Sequence, residues 1–397
     1  MYKSKAMKYS NRDRILECIY RNPRVSRKEI SELTGITPAT VTATTASLLQ
    51  EGLVMERREL QEDRKSIGRS PIALDIRDDY GYVVGAEFNV TALTVCATDL
   101  HGRVLASRRI PYSPQVSANI TSLLIQQLRL CIDDAPSSEF PLAIGVAVPG
   151  HMDPESLCFI CSNPVWGGFQ AAAVQEAFPC PVFFENNVRC MALSEYLHRP
   201  HITPSSFALY HIGRGMFCAH VTDDELYIGT TYGSGEIAHS IAVPNGKRCE
   251  CGKRGCLQTI ATEAAILENA GVLLRNDPDT LLHSLAGDPA KLTIEHVITA
   301  YEMGDAAVRR LLTQALQYIC ISALNIAILM NPEKLLLHGI LFNNPLIRQD
   351  FLDLVREQFD FARNNYSLGT VEFLTSSPTD GAVGAASLAI LHRVIHA

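Results

Sequence analysis

Apolar positions in the first fifty residues recur at helical intervals. Ile15, Leu16, Ile19 and Tyr20 fall on one face of a helix and Pro23 ends the run, which predicts a first helix over 11–21. Ser26 followed three residues later by Glu29 has the spacing of a capping box, opening a short second helix with Ile30 and Leu33 turned inward before Gly35 reverses the chain. A third helix starts at Thr37, with Pro38 in the first turn where a missing N–H costs nothing, and Val41, Thr45, Leu48 and Leu49 form its buried stripe. Beyond Gly52, LVMERREL and PIALDI read as the two strands of a wing whose polar tip contains Lys65, Gly68 and Arg69.

From Tyr80 onward strands and helices alternate. YVVGAEFN, TALTVCATD and RVLASRRI make three successive strands, a helical stretch over 117–134 follows, and LAIGVAVP is a buried strand. The order then recurs in SFALYHIG, GMFCAHVTD and ELYIGTT, with KLLLHGI and TVEFLTSS set between long helices. Such a repeat predicts a duplicated α/β body of two lobes with a ligand cleft between them. The expected domains are a winged helix-turn-helix over 1–76, a first lobe over 77–205, and a second lobe over 206–397 whose last helix is a candidate to pack on the first.

Charge separates the head from the body. Residues 1–74 carry 14 Lys and Arg against 9 Asp and Glu, a net +5, whereas the remainder carries 21 against 33, a net −12. A basic head on an acidic body suits a polyanion bound by the head alone. Thr37, Ala39, Thr40 and Thr44 on the third helix are small enough for close approach to base edges of double-stranded DNA, and Lys65 and Arg69 suit the phosphate backbone or a minor groove. A helical bundle serving protein contacts is the competing reading of the same segment. The longest apolar stretch, 319–330, falls short of the roughly 20 residues of a membrane span. The basic N-terminus lacks the apolar run of a secretory signal, so a cytoplasmic protein with mostly reduced thiols is expected.

Four soft ligands stand close together in HSIAVPNGKRCECGKRGC: His239, then nine residues to Cys249, one to Cys251 and four to Cys256. Short Cys spacings with Gly252 and Gly255 between them let the backbone curl around a tetrahedral ion. Three thiolates and a neutral imidazole around a divalent cation leave one negative charge, which Lys247, Arg248, Lys253 and Arg254 offset. A disulfide is the alternative and leaves an odd thiol. With no open coordination position, the expected cofactor is one structural Zn2+ per chain, and its fixing of His239 also fixes Glu236 three residues earlier.

GRSPIALDI, IGVAVPGHMD, NPVWGGF, FFENNVRCMALSEY, GSGEIAHSIAV, the CECGKRGC run and the HGI turn occur in this order, and on them the chain resembles the repressor branch of the ROK family. The resemblance runs over essentially the whole length. It implies a two-lobed actin-like (ribonuclease H-like) sugar-kinase fold behind the winged helix, and a sugar site of Asn163, Trp166, Asn186, Asn187, Glu236, His239 and Gln258. Gln258 stands where the family usually has Glu, and Ala238 replaces a glycine, so an unusual sugar or derivative is expected.

Catalysis is not expected. Glu87 occupies the Asp position of the phosphate turn, with Asn89 and Val90 in place of its glycines, and Asn187 stands where the general base would be. An amide cannot take up the sugar hydroxyl proton, a loss of order 100- to 10,000-fold. ATP is therefore not an expected ligand. The expected function is a sugar-responsive DNA-binding transcription regulator, chiefly a repressor of carbohydrate uptake or catabolism genes. It would act as a homodimer or tetramer, and the helical stretches 304–330 and 380–397 are either subunit contacts or core helices. The alternatives are a sugar kinase fused to a DNA-binding head and a regulator that senses a protein partner.

Overall fold

The computed structural model describes residues 9–57, 72–153, 156–161, 163–200, 203–358 and 370–396, arranged in two compact units. The first contains the chain up to Thr203 together with its end from Thr379, and the second runs from Pro204 to Pro378.

The head opens with α1 (Asn11–Arg21), capped reciprocally by Ser10 and Asp13, a capping box that the apolar pattern does not announce. Next come β1 (Val25–Ser26), α2 (Arg27–Thr34) and α3 (Pro38–Gln50). The expected box of Ser26 and Glu29 is present, and Gly35 ends α2 in the left-handed conformation at φ +68°. Strands β2 (Val54–Arg57) and β3 (Ala73–Ile76) form the wing, with β3 lying between β1 and β2. Leu33 departs from expectation. It is 63% exposed, because only Ile30 of this eight-residue helix reaches the core, and a position three residues on points about 60° away. The wing tip, including Lys65 and Arg69, lies outside the described residues.

The first lobe is built on a five-stranded sheet. Strands β4 (Tyr82–Phe88), β5 (Ala92–Asp99) and β6 (Val104–Pro111) make an antiparallel meander. Helices α4 (Pro114–Ala118) and α5 (Ile120–Asp134) lead to β7 (Ile144–Val148), parallel to β4. A short hairpin of β8 (His151–Met152) and β9 (Phe159–Ile160) precedes α6 (Ala171–Glu176). Strand β10 (Val182–Asn186) then pairs parallel with β7 and runs directly into α7 (Asn187–His198).

The second lobe repeats this order. Strands β11 (Phe207–Ile212), β12 (Met216–Thr222) and β13 (Glu225–Leu226) form the meander. Helices α8 (Gln258–Ala261), α9 (Glu263–Asn276), α10 (Leu282–Leu285), α11 (Ile294–Glu302) and α12 (Ala306–Met330) follow. Strand β14 (Lys334–His338) lies parallel to β11, α13 (Pro345–Gln358) follows, and β15 (Thr370–Leu374) lies parallel to β14. Helix α12 has the length and apolarity to cross a membrane, but Leu312, Leu316, Ile319, Ala323 and Ile326 are buried in this lobe's core. The two sheets share one topology, a three-stranded meander extended by two parallel strands.

The chain then returns to the first unit in α14 (Asp380–Ile390) and a terminal turn over Leu391–Ile395. Helix α14 lies directly on the first sheet because β4 and β7 offer glycines there. A Cβ on Gly85 or Gly145 would stand 1.9 or 1.8 Å from the carbonyl oxygens of Ala382 and Ala385.

Candidate functional site

The histidine and three cysteines singled out by spacing converge. The ligand atoms of His239, Cys249, Cys251 and Cys256 all lie within 4.8 Å of one another. Cys249 Sγ is 3.6 Å from His239 Nδ1, and the Sγ atoms of Cys251 and Cys256 are 3.7 Å apart. A tetrahedral ion with metal–sulfur bonds of about 2.3 Å and a metal–nitrogen bond of about 2.0 Å has edges of about 3.5–3.8 Å, so the donor set fits such an ion.

The loop is folded for this purpose by its own backbone. Cys249 N–H donates to Lys253 O at 2.8 Å and Gly252 N–H to Cys249 O at 3.0 Å, closing a knuckle around Cys251. Gly255 turns at φ +76°, where a Cβ would be 1.6 Å from Val243 O. Burial, with the neighbouring cysteines, pushes Cys256 up to about 12, while the Lys253 backbone N–H draws Cys251 below its ordinary value. A divalent cation would hold all three as thiolates. Lys247, Arg248, Lys253 and Arg254 are exposed around the cluster.

With Nδ1 turned to the cluster, His239 Nε2 faces Glu236, 3.8 Å from its Oε2. Glu236, His239, Ser240 and Lys253 give polar groups to a recess of about 490 Å³, whose apolar wall comes from Cys218, Ile237, Ile326 and Met330. Sequence reasoning missed the apolar wall, because no motif or spacing singles out Cys218 or Ile326. Gln258 points elsewhere than expected. Its Nε2 donates to Cys249 Sγ at 3.2 Å and to Glu250 Oε1 at 3.1 Å, which places it behind the metal donors.

In the first lobe, the four candidates have unequal freedom. Trp166 is 1% exposed and packs against Phe88 and Tyr112 at ring distances of 5.0 and 5.9 Å, so it is a core aromatic with no face to offer a sugar. Asn186 is also corrected: buried, it caps α7 through Oδ1, accepting from Val188 and Arg189 N–H at 3.0 and 3.2 Å, and donates to Gly150 O at 2.9 Å. Asn163 is half-buried and accepts from Val165 N–H at 3.1 Å. Asn187 is half-buried, with Nδ2 donating to Glu87 Oε1 at 3.1 Å.

Between β11 and β12 the chain turns through Gly213–Arg214–Gly215, closed by Gly213 N–H on Gly215 O at 2.9 Å. Beside it, Glu263 N–H donates to Gly213 O, and burial pushes the Glu263 carboxyl up to about 7. On the head, Thr37 and Ala39 are exposed and Thr40 and Thr44 are half-buried along α3. Thr37 accepts from Thr40 N–H as the cap.

A model described as ROK family matches residues 83–391, and one described as winged helix-turn-helix DNA-binding matches residues 11–55. The xylose repressor of Bacillus subtilis (strain 168) is 27% identical over 393 residues, covering 97% of this chain and 96% of its own. The N-acetylglucosamine repressor of Escherichia coli O157:H7 is 27% identical over 322 residues, 79% of this chain and 76% of its own. A solved ROK family transcriptional regulator, described as a homologue of the E. coli MLC protein, superposes with a TM-score of 0.73 at 21% identity and covers 97% of both chains. A ROK family glucokinase from Streptomyces griseus, in complex with glucose and AMPPNP, gives 0.65 at 20% identity over 78% of this chain and 99% of its own.

Proposed function

Because the chain belongs to the ROK family and carries a winged helix-turn-helix ahead of that body, we propose that it is a sugar-responsive repressor that binds operator DNA. The observation that carries the reading is the pairing of Glu236 with His239 across 3.8 Å, on a recess that the His/Cys cluster holds rigid. A carboxylate and an imidazole N–H at fixed separation accept from and donate to vicinal hydroxyls, while the wall of Ile326 and Met330 suits the C–H face of an aldose. The names of the relatives favour xylose and N-acetylglucosamine as the first sugars to try.

The cluster is read as a structural zinc site, one per chain, held by His239, Cys249, Cys251 and Cys256. The metal would supply rigidity and charge, with no open position for a reacting water. In this reading Glu236 and His239 contact the sugar on the recess, and Asn163 and Asn187 are the first lobe's own candidates for a sugar hydroxyl. Gln258 serves as a donor to the Cys249 thiolate.

Phosphotransfer is not part of the reading. Asn187 cannot serve as the base, and Asn89 and Val90 give the first lobe's turn side chains where a phosphate cradle needs bare backbone. In this reading the half-buried Glu263 beside the Gly213 turn competes with an anion for Arg214. DNA contacts are assigned to Thr37, Ala39, Thr40 and Thr44 of α3, with Lys65 and Arg69 of the wing on phosphates. The chain would act as a homodimer or tetramer in the cytoplasm, on a palindromic operator.

A thermal-shift and calorimetric screen of the intact, zinc-loaded protein against D-xylose, N-acetyl-D-glucosamine and other aldoses tests the sugar reading. A ligand at 100 times its dissociation constant stabilises by about 2.7 kcal/mol. No shift and no heat across the panel would refute it. ADP release at ordinary enzymatic rates with any of these sugars would return the chain to the kinases.

A further inference from the structure

We propose that Glu17 of the head is the residue through which the body controls the DNA-binding domain, with α7 and α14 linking it to the sugar-facing end of the first lobe. This rests on the sugar-sensing reading above, and the observations come from a single compact unit.

Two separate segments of the body converge on that one carboxylate. Tyr196, near the C-terminal end of α7, donates its Oη to Glu17 Oε1 at 2.5 Å. His396, at the end of the chain, brings Nε2 within 3.7 Å of Glu17 Oε2. The Glu17 and His396 side chains are only 16% and 7% exposed, so the clasp is closed to solvent. Arg21, four residues on and on the same face of α1, lays its guanidinium 3.9 Å from the Tyr196 ring centre and donates to Thr203 O at 3.3 Å. Tyr9 packs against His396 with ring centres 4.2 Å apart and planes tilted by 30°. Tyr196 therefore presents its hydroxyl to Glu17 and its ring face to Arg21, and α1 is held by partners from α7 and from the chain end that follows α14.

The opposite ends of the same two helices carry the first lobe's polar groups. Asn187 is the first residue of α7 and donates to Glu87, while the Glu87 carboxylate packs on Gly381 at the start of α14. Between the ends the helices touch backbone to backbone: a Cβ on Gly384 would lie 2.6 to 2.8 Å from backbone atoms of Cys190 and Met191. A second link, His198 Nε2 to Ser387 Oγ at 3.1 Å, joins them near the clasp. From Asn187 to Tyr196 the rise is about 14 Å at 1.5 Å per residue. Helices packed this closely do not slide independently, so a shift imposed at Asn187 or Glu87 arrives at Glu17 as a displacement of Tyr196 and His396. A ligand that prefers one setting of the pair thereby changes the head's affinity for DNA.

The test uses intact, zinc-loaded protein and the duplex that wild type enriches from a random-sequence pool. The ratio of DNA dissociation constants with and without saturating sugar is measured for wild type, Tyr196→Phe and Glu17→Gln. Tyr196→Phe keeps the ring under Arg21 and removes only the hydroxyl. Its sugar affinity without DNA is expected to stay near wild type, while the ratio falls at least about threefold, as does that of Glu17→Gln. An unchanged ratio in both variants, with sugar bound, overturns the proposal. Should no sugar bind wild type, the sensing reading fails by itself. The clasp is then judged without ligand by the double-mutant cycle of Asn187→Ala with Glu17→Gln on DNA affinity. Non-additivity of about threefold or more is expected, and additive effects overturn the coupling.

Discussion

At Gly255 the chain combines two things that no other residue type can combine: it holds φ at +76° and lets Val243 O pass where a Cβ would be. Gly255→Ala therefore displaces the strand segment that delivers Cys256. Loss of metal affinity of about 10- to 100-fold is expected in competition with a chromophoric chelator, the range found when the surroundings of a metal site are disturbed. Affinity equal to wild type would mean that the loop tolerates the shift. Cys251→Ser removes a donor outright, and emission spectroscopy should find less than one zinc per chain together with a weakened sugar response. Full sugar affinity in a zinc-free variant would separate the recess from the metal. The cluster was legible because its ligands are close in sequence and their chemistry is rare. Trp166 and Asn186 were legible as positions but not as roles. The motifs NPVW and ENN do not say whether the ring is enclosed by Phe88 and Tyr112, or whether the amide is already spent on the N–H groups of α7.

Helix α9 begins with a carboxylate placed where water is scarce. Burial raises Glu263 to about 7, so the folded state binds its proton more tightly than the unfolded chain, whose ordinary value is 4.5. This group's contribution is full below pH 4.5 and is lost as pH rises through 7, where the fold must bury a charge that only Arg214 partly offsets. Melting temperature measured from pH 5 to 8 should fall less for Glu263→Gln than for wild type. Parallel curves would contradict that assignment. In the wing, Lys65→Ala with Arg69→Ala should reduce the slope of log affinity against log salt by about 2, and an unchanged slope would move the phosphate contacts elsewhere. Helix starts were the most readable elements, since the cap at Ser26 and the Thr37–Pro38 entry act over three or four residues. Leu33 was misread because a residue three on from Ile30 points about 60° away, and this short helix buries only Ile30.

The repeated meander was visible in the sequence as the same order of strand-like runs met twice, whereas β10, which completes the first lobe's parallel pair, was not among the runs read, and both sheets share one topology. The last helix, a candidate from the outset to pack on the first lobe, belongs to the first unit; what no local pattern carries is the meeting of Glu17 with Tyr196 and His396 across a long stretch of chain. That is a property of tertiary packing, with only the Glu17 and Arg21 spacing on one face of α1 as a hint. On this account the ROK body is an effector-reading device attached to a DNA clamp. Fluorescence anisotropy of a labelled operator duplex, titrated with the intact zinc-loaded protein in the absence and presence of the sugar it binds, tests that most directly. A sugar-dependent weakening of DNA binding by about 5- to 150-fold is predicted. Identical dissociation constants, with calorimetry showing the sugar bound, would contradict it.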